Sequence, residues 1–188
     1  GCTPLVLTLV HQWAEAAAGR GRGVLLLGEA GAGKSRVARA LQVRVSTEDA
    51  LHLDLHNTPR TQGSPLYPVG VLMRRLADVQ PGDDAAACAD KARLLLAPLL
   101  PHESVDGALR DLQPLFSPQA MPVVQADSPE LVRQRMIDQL LQLVLGMAAR
   151  RPVFLLVEDL HWADPSTLAL LTRLLDDAPR HALLLVAT

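Results

Sequence analysis

Residues 24–36 read VLLLGEAGAGKSR, and this stretch limits what the chain can fold into more than any other. Four apolar residues, 24–27, predict a short buried strand. The next eight, GEAGAGKS from Gly28 to Ser35, fit G-x-x-x-x-G-K-[ST] at every fixed position. Residues 34–46 carry no Pro or Gly and predict a helix. With no side chain at Gly28, Gly31 or Gly33, the backbone can curl into a concave nest of N–H groups. A nest at the positive end of a helix dipole is an anion site, here sized for a phosphate chain. Lys34 is expected to reach the β- and γ-phosphates as a point charge, and Ser35 to offer its hydroxyl to Mg²⁺. A chance Lys-Ser on a flexible glycine turn would have no reason to sit between a strand and a helix.

The second chemical stretch is VFLLVEDLHWAD, residues 153–164. An apolar strand there ends in two acids, Glu158 and Asp159, at the carboxyl edge of a sheet. That edge is where ligands bind in open parallel sheets. One acid is expected to hold Mg²⁺, directly or through water; the other can orient or deprotonate an attacking water. Asp164 reads first as the cap of the helix that follows. Trp162 reads as a packing residue; His161 reads first as a hydrogen-bonded structural residue and second as a group that could sense the γ-phosphate. Thr188 ends a strand beside the glycine loop, where a hydroxyl could touch the γ-phosphate or water. His11, His52, His56 and His102 show no metal-ligand spacing and read as surface or local hydrogen-bonding residues.

At 188 residues, 49% hydrophobic and 20% charged, the chain can build one α/β domain with a full core. Aromatics at 3% leave that core to Leu, Val and Ala. A net charge of −2 with no basic block beyond arginine pairs such as Arg74-Arg75 lacks the footprint of nucleic-acid binding. Cys2 and Cys88 fit no metal or redox spacing, which favours a reduced, cytoplasmic setting. No apolar run reaches membrane-spanning length and no signal peptide is visible, so no membrane role is expected. The start at Gly1 and the stop at Thr188 are read as those of a piece of a longer protein.

Taken in order, the pattern predicts a helix over 5–18, the strand 24–27, the glycine loop and its helix, and a strand over 50–55. Helices are expected over 65–79 and 85–97. The prolines at 98, 101, 114, 118, 122 and 129 predict one short helix, about 103–112, in otherwise irregular surface chain. Ser128-Pro129-Glu130 opens a helix running to about 149. A strand over 153–157, a helix over 165–177 and a strand over 182–187 complete the series. The order is β-α-β-(helical insertion, 65–127)-α-β-α-β. Strands apolar throughout predict a parallel sheet covered on both faces.

GEAGAGKSR, then LLVEDLHWADPSTLALLTRL, then LLLVAT, resembles the AAA-like ATPase modules of STAND-type signalling proteins. Such modules occur in large bacterial regulators joined to nucleotide cyclase, protein kinase or LuxR-type DNA-binding domains. SPLYPVGVLMRRL, residues 64–76, resembles a segment of the cyclase-linked members. The resemblance implies a P-loop NTPase sandwich spanning 1–188, with sheet order 5-1-4-3-2 and the final strand beyond Thr188. It implies ATP and Mg²⁺ as ligands, other domains of the same chain as partners, and possible homo-oligomers. The implied nucleotide-binding residues are Gly28, Glu29, Ala30, Gly31, Ala32, Gly33, Lys34, Ser35 and Arg36. Glu158 takes the first acidic position, with Ser35 next to Mg²⁺, and Asp159 the second, near the attacking water. Members start this region with a Gly-Arg pair, whereas here Gly1 is followed by Cys2.

Two functions compete: an ATP-hydrolysing regulatory switch, and a nucleotide-binding switch without significant hydrolysis. A GTPase would need an Asn-Lys-x-Asp base-reading motif, which the sequence lacks. A small-molecule phosphotransferase would need a second Arg-rich phosphate site, and none is evident.

Overall fold

The computed structural model describes residues 3–29, 31–46, 48–117 and 127–188. Ala30, Cys2 and the Pro-rich run 118–126 lie outside the described residues. Helix α1 (Thr3–Ala17) leads into β1 (Arg22–Leu25), α2 (Lys34–Val45) and β2 (Leu51–His56). Three helices follow, α3 (Tyr67–Leu76), α4 (Ala85–Leu96) and α5 (Val105–Phe116), the last preceded by a 3₁₀ turn. Then come α6 (Pro129–Ala148), β3 (Val153–Glu158), a second 3₁₀ turn over Leu160–Trp162, α7 (Pro165–Asp177) and β4 (Leu183–Ala187).

The four strands form one parallel sheet in the order β1-β4-β3-β2. Parity along β3 separates two cores. Val153, Leu155 and Val157 face α3 to α7, with Leu53, Leu55, Leu140, Leu143 and Leu170. Phe154 and Leu156 face α1 and α2, with Trp13, Leu9, Val37, Leu41 and Val186. Trp13 meets the Phe154 ring edge-on at 6.2 Å, and its indole N–H donates to Glu48 at 2.7 Å. A scarce aromatic thus fills the core where its one polar atom can still be satisfied.

β3 and β4 are buried along their apolar lengths, but β1 is not the covered strand that the apolar run predicts. It occupies Arg22–Leu25 rather than 24–27, and its exposure alternates. Leu25 is 53% and Leu27 83% exposed, because β1 pairs with β4 on one side only among the described residues. The Pro-rich expectation is also corrected in part. Helix α5 runs on to Phe116 with Pro114 inside its last turn. Leu115 and Phe116 are buried, and the Arg74 guanidinium donates to the Leu115 carbonyl at 2.6 Å. Core burial and that side-chain cap offset the ladder bond that Pro114 removes.

Candidate functional site

Leu26 makes the last ladder bond of the β1 edge, its N–H donating to the Ala187 carbonyl at 2.8 Å. The chain then leaves the sheet as the glycine loop. Gly31 (φ 82°) and Gly33 (φ 86°) lie in the left-handed region, where a side chain costs energy although neither has an atom within 4 Å of a would-be Cβ. Gly33 is the residue from which α2 starts, so Lys34 and Ser35 form its first turn and their N–H groups point out of the helix end. Lys34 Nζ donates to the carbonyls of Gly28 (2.8 Å) and Glu29 (3.0 Å), folding the loop round its ammonium.

Across from the loop stands the acidic end of β3. Asp159 sits at φ 54°, a left-handed turn that takes its exposed carboxylate off the strand direction. Thr188 brackets this turn. Its Oγ1 accepts from the Asp159 N–H at 3.2 Å, its carbonyl accepts from the Leu160 N–H at 2.9 Å, and its own N–H donates to Val157 at 2.9 Å. Loop and turn enclose an open cavity of about 780 Å³. Its lining includes Gly28, Gly31, Gly33, Lys34, Ser35 and Arg36 on one side, and Asp159, His161 and Thr188 on the other. Glu29 and Ala32 are exposed on the same loop, where the Ala32 N–H closes a turn on the Glu29 carbonyl at 3.1 Å.

Glu158 is not among the described residues that line the cavity. Parity with Phe154 and Leu156 puts it on the α2 side of the sheet. There its Oε2 lies 2.6 Å from Nδ1 of His56, its register partner on β2. The backbone N–H and side-chain amide of Asn57 both donate to the Glu158 carbonyl, at 3.2 and 2.9 Å. Nothing in the local sequence marks Asn57; the pairing of β2 with β3 brings it here. Asp164 is buried and caps α7 through the N–H groups of Ser166 and Thr167. It also accepts from the Leu66 N–H at the start of α3, at 3.2 Å. The His161 and Trp162 rings lie 4.9 Å apart, tilted at 47° to each other. His52 has both ring nitrogens buried without a hydrogen-bond partner among the described residues, and it packs against Phe154.

The arrangement suits a polyphosphate with its divalent cation. The positive-φ glycines open backbone donors, α2 begins at the cavity, and one hydroxyl and one cation lie at its first turn. Among the described residues no group of three or more His, Cys, Asp or Glu side chains forms a metal cage. Among the described residues no helix is long and apolar enough to cross a membrane.

Comparison with known proteins agrees with this chemistry. A family model described as "AAA ATPase domain" matches residues 4–186. An uncharacterized protein of Rhizobium meliloti (strain 1021) is 28% identical over 183 residues, covering 96% of this chain and 17% of the relative. The chain therefore spans about a sixth of the length of that relative. No solved structure gives a significant match.

Proposed function

From its membership of the AAA ATPase domain family, which the match over residues 4–186 establishes, we propose that the chain binds ATP with Mg²⁺ and hydrolyses it slowly as a regulatory module of a larger signalling or transcription regulator. The observation that carries the reading is the facing of two halves across one cavity. Lys34 and Ser35 stand at the start of α2, and Asp159 and Thr188 stand opposite. In this reading the loop from Gly28 to Arg36 holds the phosphates. Ser35 and Glu158 hold the cation, directly or through water, and Mg²⁺ when bound neutralises phosphate charge. Asp159 orients or deprotonates the attacking water. Helices α3 to α5 are a helical insertion, and the sheet gains a further strand next to β1 from chain beyond Thr188. Turnover is slow unless an Arg finger is supplied in trans.

A binding-only switch is the second reading. It is favoured by the division of the acid pair, since Asp159 lines the cavity while Glu158 contacts His56. Calorimetric titration of the chain with ATP, ADP and GTP, with and without Mg²⁺, tests nucleotide binding. Single-turnover hydrolysis of labelled ATP then separates the two readings. No heat with any nucleotide at millimolar concentration would overturn both.

A further inference from the structure

His161 stands on the 3₁₀ turn over Leu160–Trp162, directly after the left-handed turn at Asp159. Backbone hydrogen bonds tie this turn down on both sides of it. The Leu160 N–H donates to the Thr188 carbonyl, the Trp162 N–H to the Asp159 carbonyl and the Ala163 N–H to the Leu160 carbonyl, each at 2.9 Å. Trp162 is half-buried, and its ring centre lies 4.9 Å from that of His161. The imidazole itself is exposed and lines the cavity wall opposite the glycine loop, with Asp159 and Thr188. Among the described residues it has a ring contact with Trp162 but no side-chain hydrogen bond or ion pair. The hydrogen bonding that a structural histidine would use is therefore missing, yet even a neutral imidazole carries one N–H donor. A donor without a protein partner, on a turn already held in place, meets a ligand with little further ordering to do.

We propose that His161 is a specificity-determining residue, whose imidazole N–H donates to the terminal phosphate of a bound nucleoside triphosphate and so separates it from the diphosphate. This rests on the nucleotide reading above and assigns a role to a side chain outside the glycine loop and the acid pair. Which phosphate it meets follows from the two walls of the cavity. The glycine loop and the first turn of α2 seat the phosphate chain on one wall. Lys34, on that wall, reaches the last two phosphates. The terminal group is then the one that projects towards the other wall, and a diphosphate seated on the same donors ends short of it. On that far wall the Asp159 carboxylate is an acceptor and the Leu160 N–H is engaged by Thr188. The side-chain donors left there are the His161 imidazole and the Thr188 hydroxyl.

The experiment titrates the chain calorimetrically, in Mg²⁺, with ADP and with an ATP analogue whose β,γ-imido bridge resists hydrolysis. Wild type is compared with His161→Ala, His161→Asn and His161→Gln. The two amides carry an N–H donor at about the reach of Nδ1 and of Nε2. His161→Ala is expected to bind the triphosphate about tenfold more weakly, the loss of one hydrogen bond to a charged group, and to bind ADP as wild type does. One of the two amides is expected to recover most of that loss. An equal loss for ADP and the triphosphate would mean that His161 only supports the turn, and would overturn the proposal. Two amide variants as weak as Ala would overturn it as well. A wild-type chain that binds neither nucleotide overturns the nucleotide reading itself. A wild type that binds both, with affinities that His161→Ala reproduces, overturns this inference alone.

Discussion

Lys34 illustrates how one residue serves both the loop and its ligand. Its ammonium donates to the Gly28 and Glu29 carbonyls, which are exposed and can turn to water when it leaves. Phosphate oxygens are better acceptors for a cation than carbonyls. Lys34→Ala is therefore expected to cost about 1.5–3 kcal/mol of ATP binding, more than tenfold in Kd. Lys34 is only partly buried, so the same change should leave unfolding stability within about 0.5 kcal/mol. Calorimetry and a urea melt check the two halves, and equal ATP affinities would remove Lys34 from the site. The acids divide differently. Asp159→Asn is expected to keep Mg·ATP bound but abolish single-turnover hydrolysis, because an amide takes no proton from water. Glu158→Gln is expected to weaken Mg²⁺-dependent binding; the reverse pattern would swap their roles. The spacing of GEAGAGKS made the loop legible from the residues. The aim of the two acids was not, since it depends on a left-handed turn at Asp159 that Thr188, 29 residues away, holds in place.

Elements were most legible where their ends carry local chemistry. Ser128 and Asp164, each followed by Pro, carry the cap signature, and each accepts an N–H of the helix it starts. What a cap does beyond its own helix is not local. Asp164 also holds the N–H of Leu66, an apolar residue at φ 56° that no propensity would place in the left-handed region. One buried carboxylate thereby joins the starts of α3 and α7, with Thr167 Oγ1 donating to its second oxygen at 2.5 Å. Asp164→Ala removes a cap and leaves a buried donor at Leu66 unpaired, so about 2–4 kcal/mol of stability should be lost. Asp164→Asn keeps one acceptor and should lose less. Urea unfolding of both variants checks this; a loss near zero for Ala would mean that water replaces the carboxylate. Helix α6 shows the same limit. Its apolar stripe is plain in the sequence, but nothing local marks Gly146 as a contact. A Cβ there would come within 2.5 Å of the Leu99 carbonyl, so α6 and the turn after α4 touch backbone to backbone.

For the molecule as a whole, continuous apolar strands identified a parallel sheet between helical layers, and β3 and β4 meet that description. Apolar sequence cannot say which strand stands at an edge, because burial depends on a neighbour and not on the strand's own residues. Among the described residues β1 is such an edge. Its last residue Leu25 and Leu27 just beyond it are exposed, and Leu168 (41% exposed) and Leu175 (40%) of α7 flank a groove of about 290 Å³ that Gly23 and Leu25 help to line. Unpaired strand groups next to apolar surface recruit other strands, including those of a second copy. The 188-residue chain is therefore expected to self-associate as its concentration rises. Leu25→Lys puts a charge on that edge and should shift the weight-average mass toward the monomer in light scattering. Because Leu25 is already half exposed, the unfolding free energy should change by no more than about 1 kcal/mol. Equal masses for both proteins across the concentration series would show that association, if any, uses another surface.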